Sequence, residues 1–327
     1  MKTILVTGAG SLLGQGILKS LKLSPDYPIR IVTVDPDVDA VGHQWGDQSY
    51  RIPMAEAPTF VEVLLDIVKK ESVDVIIPGT DIELPILSSS RSFIESEGAC
   101  QVLVSRPDLI ETADDKYKTT VELARLGISV PLTFLESDDG SKFETLAFPV
   151  IVKPRSGARS RGVTKLNTID QLHEILLGPR PFGELIVQEC ISDESQEYTA
   201  GAVCFPGSKI QTIVMNRTLR DGNTVKATIN DYPELNCFIA SVANKLQPNG
   251  PINFQFRTDS DGPKIFEINA RFSGTTIFRS MAGFNEVNFC VGMLTGENVR
   301  PLTYTYPLVI QRYWEEQILS VDSEGFV

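Results

Sequence analysis

The sequence predicts an α/β protein whose N-terminal part is a parallel, doubly wound sheet. Three observations carry that reading. Over the first hundred residues, short apolar runs of strand length alternate with runs of helical spacing, the pattern of successive βαβ units. A glycine cluster, "TGAGSLLGQG", joins the first strand-like run to the first helix-like one. Near the C-terminus, two polar–apolar alternating runs flank "DSDGP" and read as an antiparallel hairpin.

In order, Thr3–Thr7 reads as a strand, Leu12–Leu21 as a helix and Ile29–Val34 as the second strand. Thr59–Lys70 is helical by the spacing of Val61, Leu64, Leu65 and Val68. Val73–Pro78 is the third strand, Glu83–Ser96 a helix and Gln101–Ser105 a further strand. Gly8 and Gly10 allow a tight strand-to-helix turn, and Asp35 ends the second strand where a ribose would be held. The dinucleotide signature is nevertheless incomplete. G-x-G-x-x-G needs glycine where Leu13 stands, and the short-chain dehydrogenase turn needs it where Leu12 stands. None of the eight tyrosines has a lysine four residues on, so the Y-x-x-x-K proton-transfer pair is missing. The glycines are therefore read as serving the turn and close packing, with a nicotinamide-dependent oxidoreductase as the alternative. Gly79, Thr80, Asp81 and Glu83 end the third strand at the carboxyl edge of the sheet, where open α/β sheets take ligands; a helix cap explains Asp81 equally well.

Composition narrows the function classes. The chain has 327 residues and a net charge of −12, which disfavours a nucleic-acid partner. No apolar run approaches the ~18 residues of a membrane span, and the first residues lack the form of a signal peptide. The five cysteines are scattered and never in a C-x-x-C pair, so reduced thiols in a cytoplasmic protein are expected. His43 and His173 are the only histidines, so neither a histidine-rich zinc site nor a histidine triad is expected.

In the middle of the chain, "TADDKYKTTVELARLG" reads as one helix capped by Thr112, with Asp115 completing a capping box and Gly127 stopping it; Lys116 lies in its first turn. "FPVIVKPRSGARSRGV" follows: a strand over Phe148–Val152 ending at Lys153, then a loop with Ser156, Gly157, Ser160 and Gly162 among arginines. Its amides and guanidiniums suit a polyphosphate, although Val163 stands where a Walker loop needs lysine. A solvated hairpin loop is the plain alternative. "ELIVQECI" reads as a buried strand and "SDESQEYTAGAVCF" as the start of a new alternating run. Backbone groups from Glu189 to Ile191 could meet a base edge, and Glu197 a ribose.

The hairpin carries the strongest signal. Its runs are Ile252–Thr258 and Lys264–Arg271 around a five-residue loop, Asp259–Pro263. That register pairs Phe256 with Phe266, Gln255 with Glu267 and Asn253 with Asn269. Alternation puts Ile252, Phe254, Phe256, Phe266 and Ile268 on a core face and Asn253, Gln255, Glu267, Asn269 and Arg271 on the other. A merely solvated strand tolerates asparagine poorly. Convergent amide and carboxylate oxygens suit Mg²⁺ shared with phosphates, and an arginine beyond them suits a phosphoryl oxygen.

Together these pieces resemble the ATP-grasp superfamily, and within it the ATP-binding modules of the carbamoyl phosphate synthase large subunit. "NFQF" with "FEINARFSG" is similar to the family's N-x-Q-F and E-x-N-x-R. "VIVKPRSGARSRGV" resembles its strand–lysine–glycine loop, and "VQECI" and "QEYT" its adenine hinge and ribose glutamate. The resemblance implies a Rossmann-like pre-ATP-grasp domain over 1–110, a linker helix and small ATP-grasp subdomain over 111–192, and a large α+β subdomain over 193–327. It implies that Lys116 and Lys153 hold nucleotide phosphates under a lid from Ser156 through Gly157 and Ser160 to Gly162. Glu189, Cys190 and Ile191 would meet adenine and Glu197 the ribose. Gln255, Glu267 and Asn269 would bind Mg²⁺, or Mn²⁺ in its place, and Arg271 with Lys153 would act on the transferring phosphoryl group.

The expected function is an ATP-dependent ligase that turns a small-molecule carboxylate into an acyl phosphate for attack by an amine. Arg217, Arg220 and Lys226 are further candidates for meeting an acidic substrate. A single module without internal repeat argues against carbamoyl phosphate synthesis itself. A non-catalytic ATP-binding subunit is the other rival, and a homo-oligomer stays open, with "YTYPLVIQRYWEEQ" as an edge strand or an interface.

Overall fold

The computed structural model of the protein describes residues 1–23, 27–157, 160–191 and 197–316. Three sheets organise them. The first is parallel, in the order β3-β2-β1-β4-β5, from β1 (Lys2–Val6), β2 (Ile29–Asp35), β3 (Gln48–Arg51), β4 (Val75–Ile77) and β5 (Gln101–Val102). Helices α1 (Leu12–Lys22), α2 (Phe60–Glu71), α3 (Leu84–Ser89) and α4 (Arg91–Gly98) lie between these strands. Ser11 caps α1 by accepting from the Gly14 amide, and Leu13, Ile17, Leu18 and Leu21 form its buried face. The single helix expected over Glu83–Ser96 is two, broken at Ser90.

The helix expected from Thr112 is also two: α5 (Pro107–Asp114) and α6 (Lys116–Arg125). Asp115 breaks it. Its extended backbone and side chain, which accepts from the Tyr117 and Lys118 amides, make it the N-cap of α6. The Thr112 hydroxyl instead donates to the Asp108 carbonyl. Arg155 pairs with Asp115 at 2.7 Å and fixes the cap against the glycine loop, which leaves Lys116 as the buried first residue of α6.

The second sheet, β6-β9-β7-β8, comprises β6 (Thr133–Leu135), β7 (Val150–Pro154), β8 (Thr164–Leu166) and β9 (Leu185–Glu189), with α7 (Gly140–Phe143) and α8 (Ile169–Leu177). Phe143, Leu146, Val150, Val152, Leu172 and Val187 give it a core of its own. The third sheet, β14-β13-β10-β11-β12-β15, is antiparallel: β10 (Glu197–Cys204), β11 (Gln211–Arg220), β12 (Asn223–Ile229), β13 (Gly250–Asp259), β14 (Gly262–Asn269) and β15 (Leu308–Gln311). The C-terminal alternation is thus an edge strand, β15. Helix α9 (Pro233–Leu246) packs on β10 and β11, and its buried side chains share one core with Phe254 and Phe256 of this sheet and Leu5, Val32 and Ile76 of the first. Helices α10 (Thr276–Met281) and α11 (Glu286–Thr295) pack against α1. The first and third sheets therefore form one body.

The hairpin keeps the expected register where it matters, Asn253 opposite Asn269 and Gln255 opposite Glu267, but not at its turn. Phe256 faces Ile265, Asp259 faces Gly262, and a bulge takes up the extra residue. Ile265, not Phe266, is therefore the core residue, and Phe266 turns toward the second sheet. No helix among the described residues is long and apolar enough to cross a membrane.

Candidate active site

Two cavities meet between the sheets. The first lies between the second and third sheets. Lys116, Lys153, Gly157, Ser160, Arg161, Glu189, Ile191, Glu197, Gln255 and Glu267 line it together with Arg217, Arg257 and Phe266. The second, of about 650 Å³, opens between the first sheet and β13–β14, with Ser11, Thr80 and Asp81 on one wall and Asn253, Gln255, Glu267, Asn269 and Arg271 on the other. Lys116, Gly157, Arg217, Gln255 and Glu267 belong to both walls, so the cavities join at Glu267.

Alternation along β7 turns Val150 and Val152 into the second sheet's own core and leaves Lys153, the next residue, facing the cavity. Its Nζ sits 3.5 Å from the Phe266 carbonyl and 5.4 Å from the Phe266 ring centroid. Burial pushes its ammonium down to about 8, against the opposing pull of Glu267. Lys116 reaches the same space and donates to the Gly157 carbonyl at 2.7 Å. Ser156, Gly162 and Cys190 do not line the cavity. Gly162, at φ +71°, packs under Phe182, which a Cβ would approach to 2.7 Å, so it shapes the loop. Arg159 lies outside the described residues.

Several candidate groups are already engaged. Glu189 accepts from the Leu132 amide and from Lys264, each at 3.0 Å. Glu197 is clamped between Arg217 at 2.7 Å and Arg257 at 2.6 Å, and Arg257 also binds the Ile191 carbonyl. Burial would raise the Glu197 carboxyl, but the two guanidiniums outweigh it and hold it below the usual range. Arg257 follows Gln255 by two residues, so the alternation that singles out Gln255 marks it too. Arg217, expected as a candidate for meeting an acidic substrate, belongs to β11 and is paired with Glu197, an approach that depends on a strand pairing no local pattern reveals.

At the junction, the Gln255 and Asn269 side-chain amides each donate to Glu267 Oε1 at 3.1 Å, while their oxygens accept from Arg217 and Arg271. No group of three His, Cys, Asp or Glu able to hold a metal occurs among the described residues. That agrees with the donor set here, one carboxylate and two amides. Such oxygens fit a hard cation that keeps waters and shares phosphates, once the amides turn their oxygens inward. Arg271 forms a two-pronged ion pair with Asp81. Asp81 therefore does not cap α3; it bridges the two walls of the cleft. Asn253 is buried behind this face, accepting from Thr199 and from Arg279, which pairs with Glu286.

The glycine turn after β1 is closed on the side of Asp35, Ala40 and Gly42. Asp35 accepts from the Gly10 amide at 2.8 Å, and a Cβ on Gly42 would stand 2.0 Å from the Ala9 carbonyl oxygen. The segment around Ala40 and Gly42 covers the side of the turn that a dinucleotide would need.

Comparisons with known proteins agree with this architecture. The family "PylC-like, N-terminal domain" matches residues 4–103, and the family "ATP-grasp in the biosynthetic pathway with Ter operon" matches residues 181–317. The carbamoyl phosphate synthase large chain of Clostridium acetobutylicum is 22% identical over 98% of this chain. The ADP complex of purK, an N5-carboxyaminoimidazole ribonucleotide synthetase, superposes with a TM-score of 0.76 at 15% identity, covering 94% of this chain and 80% of that one. The chain is an ATP-grasp protein. This ATP-grasp chain is a distant homologue of the carbamoyl phosphate synthase large chain, and it spans 32% of that relative's length. It spans 13% of the multifunctional protein CAD of Squalus acanthias, to which it is 22% identical over 84% of its own residues. The biotin carboxylase domain of the Hydrogenobacter thermophilus 2-oxoglutarate carboxylase, a complex with MgADP and bicarbonate, gives a TM-score of 0.71 at 15% identity, covering 91% of this ATP-grasp chain and 70% of that one. The ATP-grasp fold is in general that of ATP-dependent ligases.

Proposed function

We propose that the protein is an ATP-dependent ligase that activates a substrate carboxylate as an acyl phosphate for attack by an amine. The observation that carries this reading is the junction of the two cavities at Glu267, with Lys116, Lys153, Arg217 and Arg271 around it. A nucleotide in the first cavity would place its terminal phosphate there, facing a carboxylate held in the second. Glu267, Gln255 and Asn269 would hold Mg²⁺, which when bound offsets phosphate charge. Lys116 and Lys153 would bind phosphate oxygens, and Arg271 and Arg217 would stabilise charge on the group in transit. The amides that now donate to Glu267 would turn, releasing both arginines from their oxygens for that task. Ser160 and Arg161 lie over the first cavity and would exclude water from the acyl phosphate. No enzyme nucleophile is required.

The test is ADP release in Mg²⁺ from a panel of carboxylates with and without amines, beside Glu267→Ala. Binding of a non-hydrolysable ATP analogue with carboxylate-dependent ADP release supports the reading. Full activity in Glu267→Ala overturns it.

A further inference from the structure

The second cavity extends well beyond Glu267, and its far end is built differently from the junction. There it is lined by Ser11 and Leu12 at the start of α1, Gly274 and Thr275 before α10, and Arg312 just after the edge strand β15. None of these belongs to the wall shared with the first cavity. The Arg312 backbone is anchored to the Val225 carbonyl at 2.8 Å, its guanidinium stands 5.0 Å from the Phe278 ring centroid, and it donates to the Gly274 carbonyl.

Three arginines line the cleft, and their charges are met differently. Arg217 faces Glu197, and Arg271 faces Asp81. Arg312 forms no ion pair among the described residues. Burial lowers its pKa below the usual guanidinium range, and no carboxylate among the described residues offsets that effect. A half-buried guanidinium that, among the described residues, meets one carbonyl and a ring face keeps unused donors in a planar fork, the geometry that suits a carboxylate or phosphate. An uncompensated charge in such a place is costly unless something neutralises it.

We infer that Arg312 is a specificity residue that holds a second anionic group of the substrate, a carboxylate or phosphate remote from the carboxylate activated at Glu267. The inference rests on the ligase reading and narrows its substrate to a dianion. The cleft has the volume for it: about 650 Å³ falls within the roughly 300–1,000 Å³ of small-metabolite sites.

The experiment uses the full chain, with and without saturating Mg·ADP. Thermal midpoints of wild type and Arg312→Gln are titrated with butyrate (one carboxylate), glutarate (two) and phosphonoacetate (a carboxylate and a phosphonate). In wild type, glutarate or phosphonoacetate should act at concentrations at least tenfold below butyrate, and Arg312→Gln should erase that preference while leaving Mg·ADP affinity unchanged. Which of the two acts more strongly separates a carboxylate from a phosphate as the remote group. Should Arg312→Gln not fold, Arg312→Lys retains the charge without the fork and should weaken the preference. A preference that survives the substitutions means that Arg312 only tethers the Gly274 loop, and that overturns the inference. So does the absence of any dianion preference in both nucleotide states. Failure of wild type to bind Mg·ADP sinks the ligase reading instead, since the dianion titration without nucleotide is read on its own.

Discussion

The glycine turn after β1 and the cavity around Lys153 both look like phosphate sites in the sequence, and the structure treats them in opposite ways. In the turn, the polar side chains are paired inside the protein. Asp35 takes the Gly10 amide, Ser11 donates to the Gly79 carbonyl, and Thr7 donates to a buried Glu83. Its glycines are there because backbone presses on them: a Cβ on Gly79 would come within 2.0 Å of the Thr7 carbonyl oxygen. In the cavity, Lys153 is almost fully buried with one carbonyl at 3.5 Å, and among the described residues Glu267 accepts only from side-chain amides. A glycine cluster thus reports close approach of backbone to something, and only its neighbours say whether that something is a ligand or the protein itself.

The contrast breaks most easily at Glu267. Glu267→Ala should lower carboxylate-dependent ADP release by at least about 10²-fold, the loss typical of removing one preorganised electrostatic group. Its thermal midpoint should stay near that of wild type, because the side chain is half-buried and outside the core. Gly42→Ala should do the reverse. Overpacking against the Ala9 carbonyl should cost about 1–3 kcal/mol in denaturant unfolding, with nucleotide affinity of the folded protein unchanged. Weaker nucleotide binding in that variant would mean that the turn does hold a ligand.

Two titrations sharpen the comparison. Lys153 is charged below its folded pKa of about 8 and neutral above it. Affinity for the ATP analogue should be level below pH 8 and fall by up to about tenfold per unit above it. Lys153→Met should bind weakly with a flat profile. For the ligand-free protein the same depression works on stability: that contribution is absent below pH 8 and is regained as pH rises toward 10.5, the ordinary lysine value. Glu83, under the turn, is pushed up to about 7 by burial, against its hydrogen bonds from Thr7 and Thr80. A carboxyl raised in this way favours the fold below pH 4.5, and the contribution is lost as pH rises through 7. Glu83→Gln should flatten that slope, by about 2–4 °C of Tm for each kcal/mol involved, and leave nucleotide binding untouched. An effect on nucleotide binding instead would mean that Glu83 acts on the cavity around Lys153.

Much was legible in the sequence for local reasons. Strand and helix periods mark the parallel sheet, and alternation pairs Gln255 with Glu267 because side chains two apart share a face. Missing glycines at Leu12 and Leu13 already argued against a dinucleotide. Local reading failed where two local signals competed. Asp115 fits a helix interior as a capping-box acid and a helix start as an N-cap, and its pairing with Arg155 of a later segment goes with the second. The hairpin turn is tighter than the five-residue loop expected, and packing selects the bulge that buries Ile265 and turns Phe266 toward Lys153.

By itself, then, the sequence determined the α/β class, the strand order of reading and the chemical types on the hairpin's polar face, since each depends on neighbours within a few residues. Tertiary structure alone decided that Arg217 and Arg257 clamp Glu197, that Asp81 answers Arg271 from a segment 190 residues away, and that Arg312 meets no carboxylate among the described residues. The physical reason is that the charge balance of a half-buried group is set by whatever the fold brings within a few ångströms, and sequence distance carries no information about that.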